Sequence, residues 1–189
     1  MQKIMFNDRY GLTNAVIEGR KTMTRRLIPD EFFGLTWDTR GNTLVYENEY
    51  GDFIDVRHSK YTRYKLGEVV AVSQCYNDVM QEFTDLAFVP GSTNKMFVRA
   101  DLMPHQIRIT GIRCERLQDI SDEDCVKEGV RVGSQALEYP YYFIDTKQFL
   151  ICDYKSPRRA FAALIDKVSG RGTWDRNPWV VAYEFELVK

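Results

Sequence analysis

Leu12, Ala15, Val16 and Gly19 fall at helical spacing, so residues 11–18 are predicted as a short amphipathic helix. Gly19 can end it in the left-handed conformation that a β-carbon resists. The following Lys21-Thr-Met-Thr-Arg-Arg-Leu-Ile28 is β-prone until Pro29 stops it, and 30–42 read as loop. Thr43–Glu47 and Phe53–Arg57 form a predicted hairpin across Asn48-Glu-Tyr-Gly-Asp52. Glu68-Val-Val-Ala-Val72 does not alternate, which predicts a strand buried on both faces. Residues 77–95, with Pro90-Gly91-Ser-Thr-Asn, read as an excursion. A long strand is expected over Gln106–Leu117, with a bulge where its alternation slips at Gly111.

Ser121 is a predicted helix cap, followed by Asp122, Glu123 and Asp124 where the helix dipole favours acids, and Gly129 closes the helix. Residues 131–155 are tyrosine-rich and irregular. The last predicted helix has Ser156 as cap, Pro157 in its first turn, Phe161, Leu164, Ile165 and Val168 as buried stripe, and Gly170 at its end. The terminal strand places Trp179, Val181, Tyr183, Phe185 and Leu187 on one face, Glu184 and Glu186 on the other. Some six strands and three short helices without regular alternation disfavour a doubly wound parallel sheet. The expected class is α+β: a small mixed β-barrel with short covering helices.

Composition narrows the function. With 189 residues, net charge −1 and 44% hydrophobic positions, the chain fits one domain of a folded protein. Its longest apolar run, Ala160–Ile165, is far short of a membrane span, and the first residues lack a secretory pattern. The expectation is a soluble, cytoplasmic protein with no membrane partner. Cys75, Cys114, Cys125 and Cys152 lie far apart and read as reduced, buried thiols. Only His58 and His105 are present, so neither a metal site nor a cofactor is expected. Phosphate-loop, dinucleotide, nucleophile-elbow and paired-histidine signatures are all missing.

Charge is unevenly distributed. Residues 1–26 hold six bases against two acids, whereas 115–128 hold six acids against two bases. A pI near 6.2 argues against a generic nucleic-acid coat, though not against a small cationic pocket. The densest cluster is Gly19-Arg20-Lys21-Thr22-Met23-Thr24-Arg25-Arg26, four cations and two hydroxyls suited to an anion or a polar base edge. Arg20 and Lys21 equally suit the negative end of a helix, and Arg25 and Arg26 a solvated strand. Lys21 and Thr24 face opposite sides of an ideal strand, so a shared site needs irregular backbone. Glu128 at a helix C-terminus opposes the dipole and marks a second candidate, although it also fits an ordinary solvated glutamate.

Gly19-Arg-Lys-Thr-x-Thr-x-Arg26, Leu66-Gly-Glu-Val-Val-Ala-Val72 and Leu117-Gln-Asp-Ile-Ser-Asp-Glu-Asp-Cys-Val-Lys-Glu-Gly-Val130 together resemble the ASCH domain. The closing Gly172-Thr-Trp-Asp-Arg-Asn-Pro-Trp-Val-Val-Ala-Tyr-Glu-Phe185 is similar to a phage and prophage subgroup. The resemblance runs nearly end to end, as one domain over 1–189 with insertions near 30–60 and 131–155. It implies a PUA-like β-barrel with an RNA-binding role. It also connects the chain to amidohydrolases that deacetylate 4-acetylcytidine, whose catalytic lysine, threonine and glutamate fall on Lys21, Thr24 and Glu128. In that scheme Lys21 accepts the threonine proton, Thr24 attacks the amide carbonyl, and Glu128 protonates the departing amine. Arg20 or Arg26 would hold an oxyanion or a phosphate, with Arg25 and Gln74 as further ligand contacts.

Two departures favour a non-catalytic reader of RNA or a modified nucleoside. The chain is nearly twice the length of the small amidohydrolases, and Ser73-Gln74-Cys75-Tyr76 replaces the subgroup's Arg-Glu-Thr-Trp. Tyr139, Tyr141, Tyr142 and Phe143 suit base stacking, a packed loop or a dimer contact. A protein-interaction module is the third class left open. Trp174 and Trp179 are expected in the core.

Overall fold

The computed structural model describes residues 1–29, 34–79, 93–133, 141–145 and 151–188, without the side chains of 151–153. Parts of the 30–42 loop and the 77–95 excursion, together with Tyr139, therefore lie outside the described residues. In chain order the elements are β1 (Lys3–Ile4), α1 (Leu12–Ile17), β2 (Met23–Leu27), β3 (Thr36–Asp38), β4 (Thr43–Glu47), β5 (Phe53–Asp55), β6 (Val69–Val72) and α2 (Tyr76–Val79). They continue with β7 (Gln106–Arg116), α3 (Asp122–Lys127), β8 (Arg131–Val132), β9 (Tyr142–Ile144), β10 (Ile151–Tyr154), α4 (Pro157–Ser169), α5 (Thr173–Arg176) and β11 (Trp179–Leu187).

The architecture is α+β. A five-stranded mixed sheet has the order β1-β6-β7-β11-β2, with only the β1–β6 pair parallel. Two three-stranded antiparallel sheets, β3-β4-β5 and β10-β9-β8, accompany it. Among the described residues no sheet closes into a barrel: β1 and β2 remain the edges of the large sheet. A side chain spans the gap instead, because Arg26 Nη2 donates to the Met5 carbonyl at 2.6 Å, one residue past β1.

The local signals account for most of these elements. Ser121 Oγ accepts from the Asp124 amide and Ser156 Oγ from the Arg159 amide, each capping a helix start. The β7–β11 register slips between Glu184 and Phe185, opposite Gly111 and Ile109, which is the expected bulge. Val70, Ala71 and Val72 are completely buried, as their unbroken apolar run requires. β3 forms inside the stretch read as loop, and β8, β9 and β10 organise the stretch read as irregular. These strands are two to four residues long, too short to show a period.

β11 is buried on both faces through most of its length. Val181, Tyr183 and Phe185 join the larger core with Ile4, Phe6, Ile107 and Ile109. Val180 packs on the other face with Leu117, Ile120, Cys125, Phe161 and Ile165. Each such side chain contributes about 1.5–3 kcal/mol on leaving water. Leu187, placed by alternation on one face with Tyr183 and Phe185, is exposed near the strand end. Trp174 and Trp179 are partly buried and flank the two cores. Trp179 stacks on Trp37 with ring centroids 5.7 Å apart.

The Tyr141 and Phe143 rings stack on each other, and Tyr142 packs against the smaller core. A β-carbon on Gly133 would run into the Tyr141 ring, so the ring lies in space that this glycine leaves open. Cys75, Cys114 and Cys125 are buried free thiols, and burial pushes the last two up to about 12. Among the described residues no helix is long and apolar enough to cross a membrane.

Candidate functional site

Backbone irregularity brings the candidate residues together. The Arg20 and Lys21 amides both donate to the Ala15 carbonyl at 2.9 Å, and the Thr22 amide donates to the Lys127 carbonyl at 3.0 Å. Lys21 therefore precedes β2 rather than continuing it, which frees its side chain from strand alternation. Glu128 caps the C-terminus of α3. Gly129 then turns the chain at φ +108°, a region L side chains avoid. A β-carbon there would also stand 3.0 Å from Leu12 Cδ2, so the turn behind Glu128 is held tightly against α1.

A cavity of about 200 Å³ lies between β2 and α4, and Lys21, Thr24, Arg25, Arg26 and Glu128 all line it. Met5, Phe6, Leu12, Leu27, Phe161, Leu164, Ile165 and Val168 supply an apolar wall. Val168 is 37% exposed rather than buried with its stripe, because it stands at this cavity.

Lys21 is 2% exposed and Glu128 5%. Lys21 Nζ donates to Glu128 Oε2 at 2.6 Å and to the Met23 and Glu128 carbonyls at 2.7 Å each. These three bonds use all the donors of an ammonium. Burial pushes the Lys21 pKa below the ordinary lysine value, and Glu128 opposes that shift. Glu128 Oε1 accepts from Arg25 Nη1 at 3.1 Å. Arg25 also donates to Glu115 Oε1 and Asp124 Oδ2. Burial works against its charge, but Glu128 and Glu115 together raise its pKa. Arg113 extends the network to Glu115, Asp124 and Glu184. Desolvated charges of this kind are tolerated only when paired throughout, as they are here.

Thr24 differs from its neighbours. It is 5% exposed, it lines the cavity, and its hydroxyl has no hydrogen-bond partner among the described residues. A desolvated lysine, a carboxylate in contact with it and an unpartnered hydroxyl thus face one small cavity.

No protein-family model, curated protein or solved structure matches this chain.

The remaining candidates have other surroundings. Arg20 pairs with Glu18 at 2.6 Å and does not line the cavity. Arg25 lines it with a guanidinium already committed to three carboxylates. Arg26 faces its mouth, with its guanidinium 5.9 Å from the Phe6 ring centroid. Gln74 is buried and is not part of the cavity lining, and its Oε1 has no partner among the described residues. Among the described residues, no group of three or more histidine, cysteine or acidic side chains is arranged to hold a metal ion.

Sequence reasoning singled out Glu128 but passed over Glu115, Asp124 and Arg113. The signal was present in the charge asymmetry, because the basic segment and the acidic segment pair with each other. It also passed over the α4 wall, whose cavity position follows from packing rather than from periodicity.

Proposed function

We propose that the chain is an ASCH-type protein of PUA-like ancestry that hydrolyses the N-acyl amide of a modified nucleoside such as 4-acetylcytidine. The supporting observation is the convergence of Lys21, Thr24 and Glu128 on one cavity, with the threonine hydroxyl left unpartnered. At about 200 Å³ the space falls below the roughly 300–1,000 Å³ of drug-sized sites, which suits an acylated base edge better than an RNA strand. The buried free thiols accord with a reducing, cytoplasmic setting.

In this mechanism a proton first moves from Lys21 Nζ to Glu128 Oε2 along their 2.6 Å bond, leaving a neutral pair. Burial favours that state by penalising the ammonium. The Lys21 amine takes the Thr24 proton as Thr24 Oγ1 bonds to the acyl carbon. The C–N bond then breaks, and the nitrogen leaves with the proton from Glu128. Water attacks the resulting threonine ester, giving its proton to Glu128, and Thr24 recovers its own from Lys21. The products are the amine and the carboxylic acid, and proton return from Glu128 to Lys21 restores the starting pair.

A second reading is binding without hydrolysis. It is favoured by the saturation of the Lys21 ammonium, which leaves no lone pair on nitrogen in this state. Incubation with 4-acetylcytidine, followed by chromatography, separates the two. The proposal expects cytidine release by the parent protein and none by Thr24→Val. Binding of the intact nucleoside with no release would leave the reader, and release by Thr24→Val would remove threonine from the mechanism.

A further inference from the structure

A second concavity lies outside the charged site. It is a groove of about 690 Å³ lined by Tyr46, Glu47, Asn48, Glu49, Tyr50, Ile54 and residues 58–61. It is built from the β4–β5 hairpin and the segment that follows it. The Tyr46 and Tyr61 rings meet edge to face, with centroids 5.0 Å apart and planes at 73°, making a corner with two aromatic walls. Tyr50, at the hairpin tip, is 82% exposed beside it. Glu47 and Glu49 also line the groove and form no ion pair among the described residues. One ammonium is already present: Lys60 Nζ stands 5.4 Å from the Tyr61 ring centroid.

We propose that this groove binds a small organic ammonium ion, with the tyrosine faces and the two glutamates as recognition elements and Lys60 as a tethered occupant that the ligand displaces. Aromatic faces attract cations through the ring quadrupole, and neighbouring carboxylates add to the attraction. The same carboxylates repel phosphate, so a nucleic-acid strand fits this groove poorly. The tyrosines thus serve a cation here, where in a cationic groove they would serve a base.

The test is titration of the full chain with choline and with spermidine at constant ionic strength, following the backbone amide resonances of residues 46–50 and 58–61. Saturable shifts in this set are expected with at least one probe. Preference for choline assigns recognition chiefly to the aromatic corner, and preference for spermidine assigns it chiefly to the glutamates. Tyr50→Ala should weaken binding about two- to fivefold. Glu49→Gln should weaken it about twofold. Lys60→Gln should tighten it about twofold by removing the internal competitor. Each side chain is on the surface, so an unchanged amide spectrum elsewhere confirms that the variant is folded. Absence of saturable shifts with both probes overturns the proposal. Affinities untouched by both Tyr50→Ala and Lys60→Gln do the same.

Discussion

Two clusters in this molecule each combine a lysine, a carboxylate and a threonine, and they differ in how the threonine is held. In the first, Lys95 Nζ donates to Asp8 Oδ1 at 2.9 Å, to Thr13 Oγ1 at 3.2 Å and to the Phe6 carbonyl. Thr13 in turn donates to Asp8. Every polar group of that trio has a partner, and the trio ties residue 95 to the turn before α1. In the second, Lys21 and Glu128 are bonded to each other, to backbone carbonyls and to Arg25, but the Thr24 hydroxyl has no partner among the described residues. Thr24 also lines the cavity between β2 and α4, and Thr13 is not part of that lining. Residue types alone therefore do not distinguish a structural fastening from a reactive site. The difference lies in the unpartnered hydroxyl and the space in front of it.

The largest contrast is expected from the lysines. Lys21→Met leaves Glu128 without its main partner in a desolvated site and should cost about 3–5 kcal/mol in urea unfolding. Lys95→Met, beside a carboxylate that is one-third exposed, should cost no more than about 1–2 kcal/mol. Equal losses would erase the distinction between the clusters.

The threonines should split in the opposite sense. Thr13→Val removes a hydroxyl bonded on two sides and should destabilise the fold by about 1–2 kcal/mol. Thr24→Val removes one with no partner, and its stability should lie within about 0.5 kcal/mol of the parent while hydrolysis falls at least about a thousandfold.

pH sharpens the same comparison. Burial lowers the Lys21 pKa in the folded state, so the folded protein gives up this proton at lower pH than the unfolded chain does. The cost of burying the ammonium is therefore present at low pH and relieved as pH rises from the lowered folded value towards the ordinary 10.5. Catalysis needs the one proton that the Lys21–Glu128 pair holds, so hydrolysis should fall with rising pH along a limb centred below 10.5, read from kcat/KM up to about pH 11. A rate that stays level or rises through that range would show that the pair's proton takes no part in catalysis.

Thiols outside both clusters give the smallest effect. Cys114 and Cys125, raised to about 12, should resist alkylation at pH 8 until the protein is denatured, as followed by mass spectrometry.

The sequence showed what depends on near neighbours. Ser121 and Ser156 as caps, the apolar run of β6 and the slip at Gly111 are each set within a few residues, and each has the expected structure. The site was visible as two fragments, the cationic Gly19–Arg26 stretch and the isolated Glu128. Their union was not, because the Lys21–Glu128 bond spans 107 positions and the backbone that frees Lys21 from the strand is fixed by α1 and α3. The same limit hid the pairing of Arg25 with Glu115 and Asp124. Sheet closure is not legible in the sequence for a related reason. Alternation reports which faces are buried, whereas closure depends on whether the two edge strands meet.

The central claim is that the unpartnered Thr24 hydroxyl forms a bond to the acyl group, and trapping that ester tests it most directly. The protein would be mixed with 4-acetylcytidine, quenched in acid within the first turnover, digested and sequenced by mass spectrometry. One acetyl group on Thr24 in the parent, and none in Thr24→Val, is the predicted result. Cytidine release continuing undiminished in Thr24→Val, with no acetylated threonine in either protein, would contradict the account.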